Sequence, residues 1–112
     1  MRIAIPLAEG KLALHFGHCQ EFALVDVDAE TGAILKTKTV EPPAHAPGVL
    51  PKWLAEEGAE IIIAGGMGRR AQDLFAEQGI RTVVGAAAQA PEDLVAAYVA
   101  GTLESGDNLC DH

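Results

Sequence analysis

The first forty residues alternate short apolar runs with polar turns, as strands do. One run covers residues 2–7, and two more cover 21–28 and 34–40, joined by a turn at 28–32. Two runs separated by a short polar turn predict a β-hairpin. Lysine and threonine alternate over residues 36–39, a pattern typical of a strand at the edge of a sheet, where lysine discourages aggregation.

In the rest of the chain, the apolar residues recur with a helical period that glycine and proline interrupt. Helices are predicted at about 49–57, 69–78 and 91–101, each with apolar residues at helical spacing. Between them lie a β-branched run at 61–64, typical of a strand buried on both faces, and a fifth strand at 81–84. The predicted core face of the second helix comprises Ala71, Leu74, Phe75 and Gln78. The order β-β-β-α-β-α-β-α predicts an α/β protein, a mixed five-stranded sheet with helices on its faces.

The predicted strand directions bring four loops to one edge of the sheet. If the first strand runs upward, the hairpin makes the second run down and the third run up. The last two strands, each reached through a helix, also run up. The loops at 8–20, 41–48, 65–70 and 85–90 then leave the same edge. Ligands of open α/β sheets bind at this carboxyl edge, and three of these loops hold the most reactive residues of the chain.

Composition and charge exclude several classes of function. The chain has 112 residues, of which 49% are hydrophobic, and 16 acids against 8 Lys plus Arg give a net charge of −8. Nucleic acid is not an expected partner, because phosphate binding needs a basic surface. No apolar run reaches the ~20 residues that span a membrane, and the amino terminus does not have a signal-peptide pattern. We therefore expect a single cytoplasmic domain over 1–101, followed by a mobile tail at 102–112.

The loop that follows the first strand contains the segment His-Phe-Gly-His-Cys at 15–19. Two imidazoles and a thiol within five residues are ligands that suit copper, zinc or iron–sulfur species. His15, His18 and Cys19 are therefore candidate metal ligands. The alternative is a turn into the second strand, in which the histidines only cap or form hydrogen bonds.

Two other segments offer secondary metal ligands. His45, in the proline-rich loop at 41–48, would lie at the same edge, although a lone histidine in a loop is more often solvated. The tail offers Cys110 and His112, which either fold over a bound metal or belong to a disordered terminus. No Cys-x-x-Cys pair is present, and a disulfide is not expected in the cytosol.

A glycine-rich turn, Gly65-Gly66-Met67-Gly68, leads into Arg69 and Arg70 between a buried strand and a helix. Glycines let a ligand approach the main chain, and N–H groups at the start of a helix attract anions. With the two arginines, this segment predicts binding of an oxo- or thiometallate anion; the alternative is a tight turn with solvated arginines. Met67 fits better as a packing residue than as a soft ligand. A dinucleotide is excluded because the acid that would bind its ribose is missing.

Four segments of the chain together resemble one known family. They are MRIAIP from Met1, HFGHC from His15 followed by Phe22, IIIAGGMG from Ile61, and CDH from Cys110. This set is similar to the dinitrogenase iron–molybdenum cofactor biosynthesis family, which includes NifX- and NifY-type carriers, the carboxyl-terminal domain of NifB, and the orange protein of sulfate-reducing bacteria. The resemblance covers essentially the whole chain.

The resemblance implies a ribonuclease H-like fold and a noncovalently bound cargo. The cargo is an iron–molybdenum cofactor precursor or, as in the orange protein, a molybdenum–copper sulfide cluster. By position, the binding surface would consist of His15, His18 and Cys19 together with residues 65–70. A free-standing domain of this kind resembles a carrier and not an assembly enzyme.

We therefore expect a carrier without catalytic activity. Its partners would be the metal cluster or thiometallate and proteins of cluster assembly or transfer. The alternative is a regulatory or protein-interaction domain that binds no metal. Nuclease activity is not expected, because the first strand, residues 2–7, has no acid to hold the required metals. A small hydrolase ranks last because the sequence shows no nucleophile–base pair.

Overall fold

The predicted helices and strands are all present in a computed structural model, which describes residues 1–14, 20–43, 48–101 and 103. The elements in this part of the chain are β1 (Arg2–Ala8), β2 (Lys11–Leu12), β3 (Glu21–Val27), β4 (Ile34–Val40), α1 (Val49–Glu56), β5 (Ile61–Ile63), α2 (Arg69–Glu77), β6 (Arg81–Val83) and α3 (Pro91–Ala100). The α/β class is confirmed. No helix among these residues is long and apolar enough to cross a membrane.

The main strands form one mixed sheet in the order β4-β3-β1-β5-β6. β3 is antiparallel to both β1 and β4, whereas β5 is parallel to β1 and to β6. The predicted directions are thus confirmed, and β4 lies at the edge as its lysines indicated. The carboxyl ends of β1, β4, β5 and β6 share one side of the sheet, called here the upper edge. Each helix begins at the upper edge because it follows a strand that ends there.

The short strand β2 was not predicted, so the sheet has six strands and not five. It pairs residues 11–12 with residues 7–8 of β1 around a tight turn at Glu9 and Gly10. Both turn residues have positive φ, 55° and 80°, as a type I′ turn requires. Because glutamate rarely adopts this conformation, the Glu-Gly pair does not carry the usual sequence signal of a hairpin.

Two apolar clusters fill the two faces of the sheet. α3 packs on one face through Leu94 and Val95, and α1 and α2 pack on the other through side chains such as Leu54 and Phe75. Alternate residues of β5 point into the two clusters, and each is at most 7% exposed. The prediction that this strand is buried on both faces is confirmed.

The prediction for the end of α2 was wrong at one position. Phe75 is fully buried, but Gln78 is exposed. α2 ends at Glu77, and the chain then turns through Gly79, which has a φ of 75°. Ile80 after this turn is buried in the core where Gln78 was expected.

An ion pair joins β1, β3 and the end of α1 at the lower edge of the sheet. Arg2 donates from Nε to Asp26 Oδ1 at 2.7 Å and from Nη2 to Asp26 Oδ2 at 3.1 Å. Its Nη1 donates to the main-chain carbonyl of Glu57, which follows α1. The hydrogen bond from Arg2 holds the pKa of Asp26 below its usual value.

Replacing Asp26 by Asn should lower the free energy of unfolding at neutral pH. The two side chains are 30% and 29% exposed, so the expected loss is about 0.5–1 kcal/mol. Since the folded-state pKa of Asp26 is depressed, its stabilisation is present above the unfolded pKa of about 3.9. It is lost as the pH falls through the lower folded-state value.

Urea unfolding of both proteins from neutral to strongly acidic pH measures this difference, which should vanish at the acid end. Asp73→Asn, on the exposed surface of α2, is the matched control and should show little effect. A difference between Asp26→Asn and the parent that does not depend on pH would contradict the assignment.

Candidate functional site

The segment after β2 fills the upper edge between the end of β1 and the β6–α3 loop. Leu12 donates its N–H to the carbonyl of Gln89 at 3.1 Å, and Ala13 donates to the carbonyl of Pro6 at 2.9 Å. Leu12 and Ala13 are buried, whereas Leu14 is 45% exposed. The first half of the predicted 8–20 loop is therefore a fixed part of the sheet edge.

Gly65 lets the β5–α2 loop approach this segment closely. A Cβ on Gly65 would lie 2.9 Å from the carbonyl oxygen of Leu14 and 3.0 Å from its Cα. On the other side of residues 15–19, Gln20 donates its N–H to the carbonyl of Leu7 at 2.7 Å. The residues that flank the His-Cys segment are thus both held at the upper edge, one of them against the glycine loop.

Four carbonyl groups of the β5–α2 loop accept hydrogen bonds from other residues of the protein. The N–H of Ala86 donates to the carbonyl of Ala64 at 3.2 Å, and the N–H of Gly85 donates to the carbonyl of Gly65 at 2.7 Å. The side-chain amide of Gln72 donates to the carbonyl of Met67 at 2.9 Å, and its main-chain N–H donates to the carbonyl of Gly68 at 3.1 Å. The N–H groups in the first turn of α2 have no acceptor within the helix, and no side chain in the described ranges caps it. Four carbonyl groups of the loop therefore have donors, and the start of α2 has main-chain N–H groups without a side-chain cap from the described residues at the upper edge.

Gly68 is not required by the local backbone or by packing against the described residues. Its φ of −65° and ψ of 157° suit any residue, and a Cβ there would meet nothing within 4 Å. Gly68 is also the N-cap of α2, where Ser, Asp or Asn would accept a hydrogen bond from the first turn. The glycine leaves both this space and these donors accessible.

Positive charge accompanies these donors. Arg69 and Arg70 are exposed in the first turn of α2, and neither forms an ion pair with an acid in the part of the chain described here. α1 also begins at the upper edge without an acid in its first turn, whereas α3 begins with Glu92 and Asp93. The positive ends of the α1 and α2 dipoles and the two guanidinium groups thus favour an anion on the α1–α2 side.

The side chain of Met67 is directed away from this surface. It is fully buried and packs in the cluster between the sheet and helices α1 and α2. The prediction that it is a packing residue is confirmed. Met67 can contribute to a binding site only through its main chain.

The predicted metal ligands all lie outside the described residues. They are His15, His18, Cys19, His45, Cys110 and His112, which include every histidine and cysteine of the chain. Within the described ranges, no three acidic side chains are arranged to hold a metal ion. Residues 65–70 are therefore the part of the predicted site whose geometry is defined.

The chain leaves α3 at the edge opposite the glycine loop. α3 runs downward from the upper edge, and the N–H of Leu103 donates to the carbonyl of Ala97 at 3.1 Å. Leu103 lines a hollow of about 240 Å³ with Arg81, the first residue of β6. The residue from which the tail continues is thus at the lower edge.

The glycine loop and the start of α2 lie at the carboxyl edge of the mixed sheet of a small α/β protein. The family model described as dinitrogenase iron–molybdenum cofactor matches residues 1–101, and the chain belongs to this family. The resemblance inferred from the sequence motifs is confirmed.

Solved structures and a sequence relative are similar to the chain over most of its length. The crystal structure of PH0822 has a TM-score of 0.84 at 32% identity, covering 95% of this chain and 96% of that one. An uncharacterised protein of Methanocaldococcus jannaschii is 30% identical over 109 residues, 93% of this chain and 90% of that protein. The apo form of the orange protein from Desulfovibrio gigas shares the fold, with a TM-score of 0.72 at 22% identity over 96% of this chain and 93% of that chain.

Gly65 and Gly68 should respond oppositely to a small side chain. Gly65→Ala places a methyl group against the Leu14 main chain, so the free energy of unfolding should fall by about 1–3 kcal/mol. Gly68→Ser enters open space at an N-cap and should change stability by no more than about 0.5 kcal/mol. Urea unfolding measures both, and equal losses would contradict the different roles assigned to the two glycines.

Proposed function

We propose that this protein binds and carries a metal–sulfur cluster, or its thiometallate precursor, noncovalently at the upper edge. The class of cargo is suggested by the iron–molybdenum cofactor family to which the chain belongs. The location is supported by one observation above all: four carbonyls of the β5–α2 loop accept hydrogen bonds within the protein, and the start of α2, which no described side chain caps, lies beside two exposed arginines. These features attract an anion to a protein whose net charge is −8.

The chemistry of the loop suits a thiometallate better than a bare cation. Main-chain N–H groups and guanidinium groups donate hydrogen bonds to anionic oxygen or sulfur, and such charge-assisted bonds are stronger than neutral ones. A free cation would instead be repelled by Arg69, Arg70 and the start of α2. The loop therefore provides retention and orientation but no direct coordination of the metal.

Direct ligation is assigned to the segment at 15–19. We propose His15, His18 and Cys19 as ligands of the cluster metals, or as hydrogen-bond donors to its sulfides. Imidazole and thiolate suit copper and iron, which amide groups do not bind. The main-chain contact of Leu14 with Gly65 supports this assignment, since His15 follows directly.

The other histidines and cysteine rank lower in the proposal. His45 lies in the loop that leaves β4, whose carboxyl end is at the upper edge, so it is a secondary candidate. Cys110 and His112 rank below it because Leu103 lies at the lower edge.

The cargo we propose is a molybdenum–copper sulfide cluster or an iron–molybdenum cofactor precursor. Binding through outer hydrogen bonds and a few soft ligands allows a cluster to be received and released intact. We therefore propose a carrier that acts in the cytoplasm between proteins of cluster assembly or transfer, and not an enzyme.

A protein-interaction domain without metal is the second candidate. One observation favours it: β4 is an edge strand on which Ile34 and Leu35 are 38% and 66% exposed. Exposed apolar side chains on an open edge are typical of contact surfaces. Metal uptake separates the two candidates, because this alternative requires none.

Anaerobic incubation with tetrathiomolybdate, alone or with copper, should load the protein. After desalting, metal analysis should find molybdenum bound, and visible charge-transfer bands should accompany it. The single tryptophan, Trp53, packs edge-to-face on Phe22 with 5.6 Å between the ring centroids. Because Phe22 pairs with Val40 at the upper end of β4, the fluorescence of Trp53 should be quenched on loading. A variant that combines Arg69→Gln with Arg70→Gln should retain less molybdenum, and its retention should depend less on salt concentration. Absence of metal after desalting, also with an iron–sulfur precursor, would contradict the proposed function.

Substitutions in the soft-ligand segment should separate ligation from electrostatic attraction. Cys19→Ser and His18→Ala should each reduce metal retention more than His45→Ala, because thiolate and imidazole at 15–19 are proposed to reach the cluster. Metal retained per protein after desalting is the measurement. Equal retention in the three variants would indicate a purely electrostatic site and remove the ligand assignment.

A further inference from the structure

We propose that Gln72 is the positioning residue of the upper-edge site, because it sets the direction in which the main chain of the glycine loop presents its donors. This inference rests on the proposed function and names a residue that the sequence motifs did not single out. Gln72 lies in α2, half-buried, beyond the glycine-arginine segment.

Gln72 holds two consecutive carbonyl groups of the loop. Its side-chain Nε2 donates to the carbonyl oxygen of Met67 at 2.9 Å, and its main-chain N–H donates to the carbonyl oxygen of Gly68 at 3.1 Å. The side chain of Met67 is fixed separately by its burial in the core. The peptide unit between Met67 and Gly68 is thus fixed at its oxygen by Gln72.

Fixing this oxygen also fixes the neighbouring donor. In a planar trans peptide the C=O and the following N–H point in opposite directions, and the described residues include no cis peptide bond. When Gln72 draws the carbonyl of Met67 toward α2, the N–H of Gly68 must point away from α2. It therefore points toward the upper edge, where the first-turn N–H groups and Arg69 are located.

The peptide between Met67 and Gly68 has to be held in place because glycine also permits the opposite orientation of this peptide. Rotating the peptide by half a turn changes φ at Gly68, and glycine tolerates positive φ at little cost. The rotated peptide would present the carbonyl of Met67 to the bound anion and repel it. The open space around Gly68 allows the ligand to approach, and Gln72 maintains the orientation that the ligand requires.

Gln72→Met tests this role, because methionine keeps a similar length and cannot donate to the carbonyl. Titration with tetrathiomolybdate alone should give a dissociation constant about five- to tenfold weaker than that of the parent, the effect of losing one hydrogen bond. Gln72→Glu should weaken binding further, since a carboxylate repels both the carbonyl and the anion. Gln78→Met and Gln78→Glu, at the exposed end of the same helix, are matched controls and should bind like the parent.

Amide NMR supplies a readout that a purely structural role would not change. Tetrathiomolybdate should shift the Gly68 amide resonance in the parent protein, and this shift should be lost in Gln72→Met while the variant remains folded by urea unfolding. If Gln72→Met does not fold, Gln72→Asn, which keeps the amide but shortens its reach, provides the same comparison.

The outcomes separate the two proposals. If the parent binds no tetrathiomolybdate, the proposed function fails and this inference fails with it. If the parent binds and the folded Gln72 variants bind equally tightly, or show the same Gly68 shift, only the role of Gln72 is overturned. Weaker binding in the Gln72 variants but not in the Gln78 controls, with loss of the Gly68 shift, supports it.

Discussion

The upper edge depends on the close approach of two main chains, those of Leu14 and Gly65, which leaves no room for a Cβ on the glycine. On one side, the contact follows from β2 and the hydrogen bonds that hold Leu12 and Ala13 against the end of β1 and the β6–α3 loop. On the other, it fixes the start of the loop that leads into α2. A single packing constraint therefore places Leu14, the residue before the His-Cys segment, against the loop that leads into α2.

The polarity of the molecule follows from its topology. Each helix comes after a strand that ends at the upper edge, so all three helices direct their positive ends there. None of the three has a basic residue in its last turn, and α1 and α2 instead end with Glu56 and Glu77 at the lower edge. A protein with a net charge of −8 can in this way offer an anion a favourable surface. The expectation that nucleic acid is not a partner, which follows from the acidity, does not extend to a small anionic cluster.

Much of the fold could be predicted from the sequence, because the periodicity of apolar residues and the glycine and proline residues at turns are local signals. The strand directions, the buried β5 and the edge position of β4 followed from them, as did the loops that share the upper edge. β2 was missed because a strand as short as Lys11–Leu12 has no period, and its Glu-Gly turn is atypical. The prediction that Gln78 faces the core was wrong because a periodic pattern of apolar residues does not show at which residue a glycine turn ends the helix. The roles of Gly65, Gly68 and Gln72 could not be predicted, because they depend on distances between segments far apart in the sequence.

Metal analysis of the protein purified anaerobically from its native host shows whether the chain carries a metal–sulfur species in its natural setting. We expect molybdenum or iron together with acid-labile sulfide, in amounts comparable to the protein, and smaller amounts when Arg69 and Arg70 are both replaced by Gln. Native protein that contains neither metal nor sulfide, yet remains folded and bound to a protein partner, would contradict this expectation.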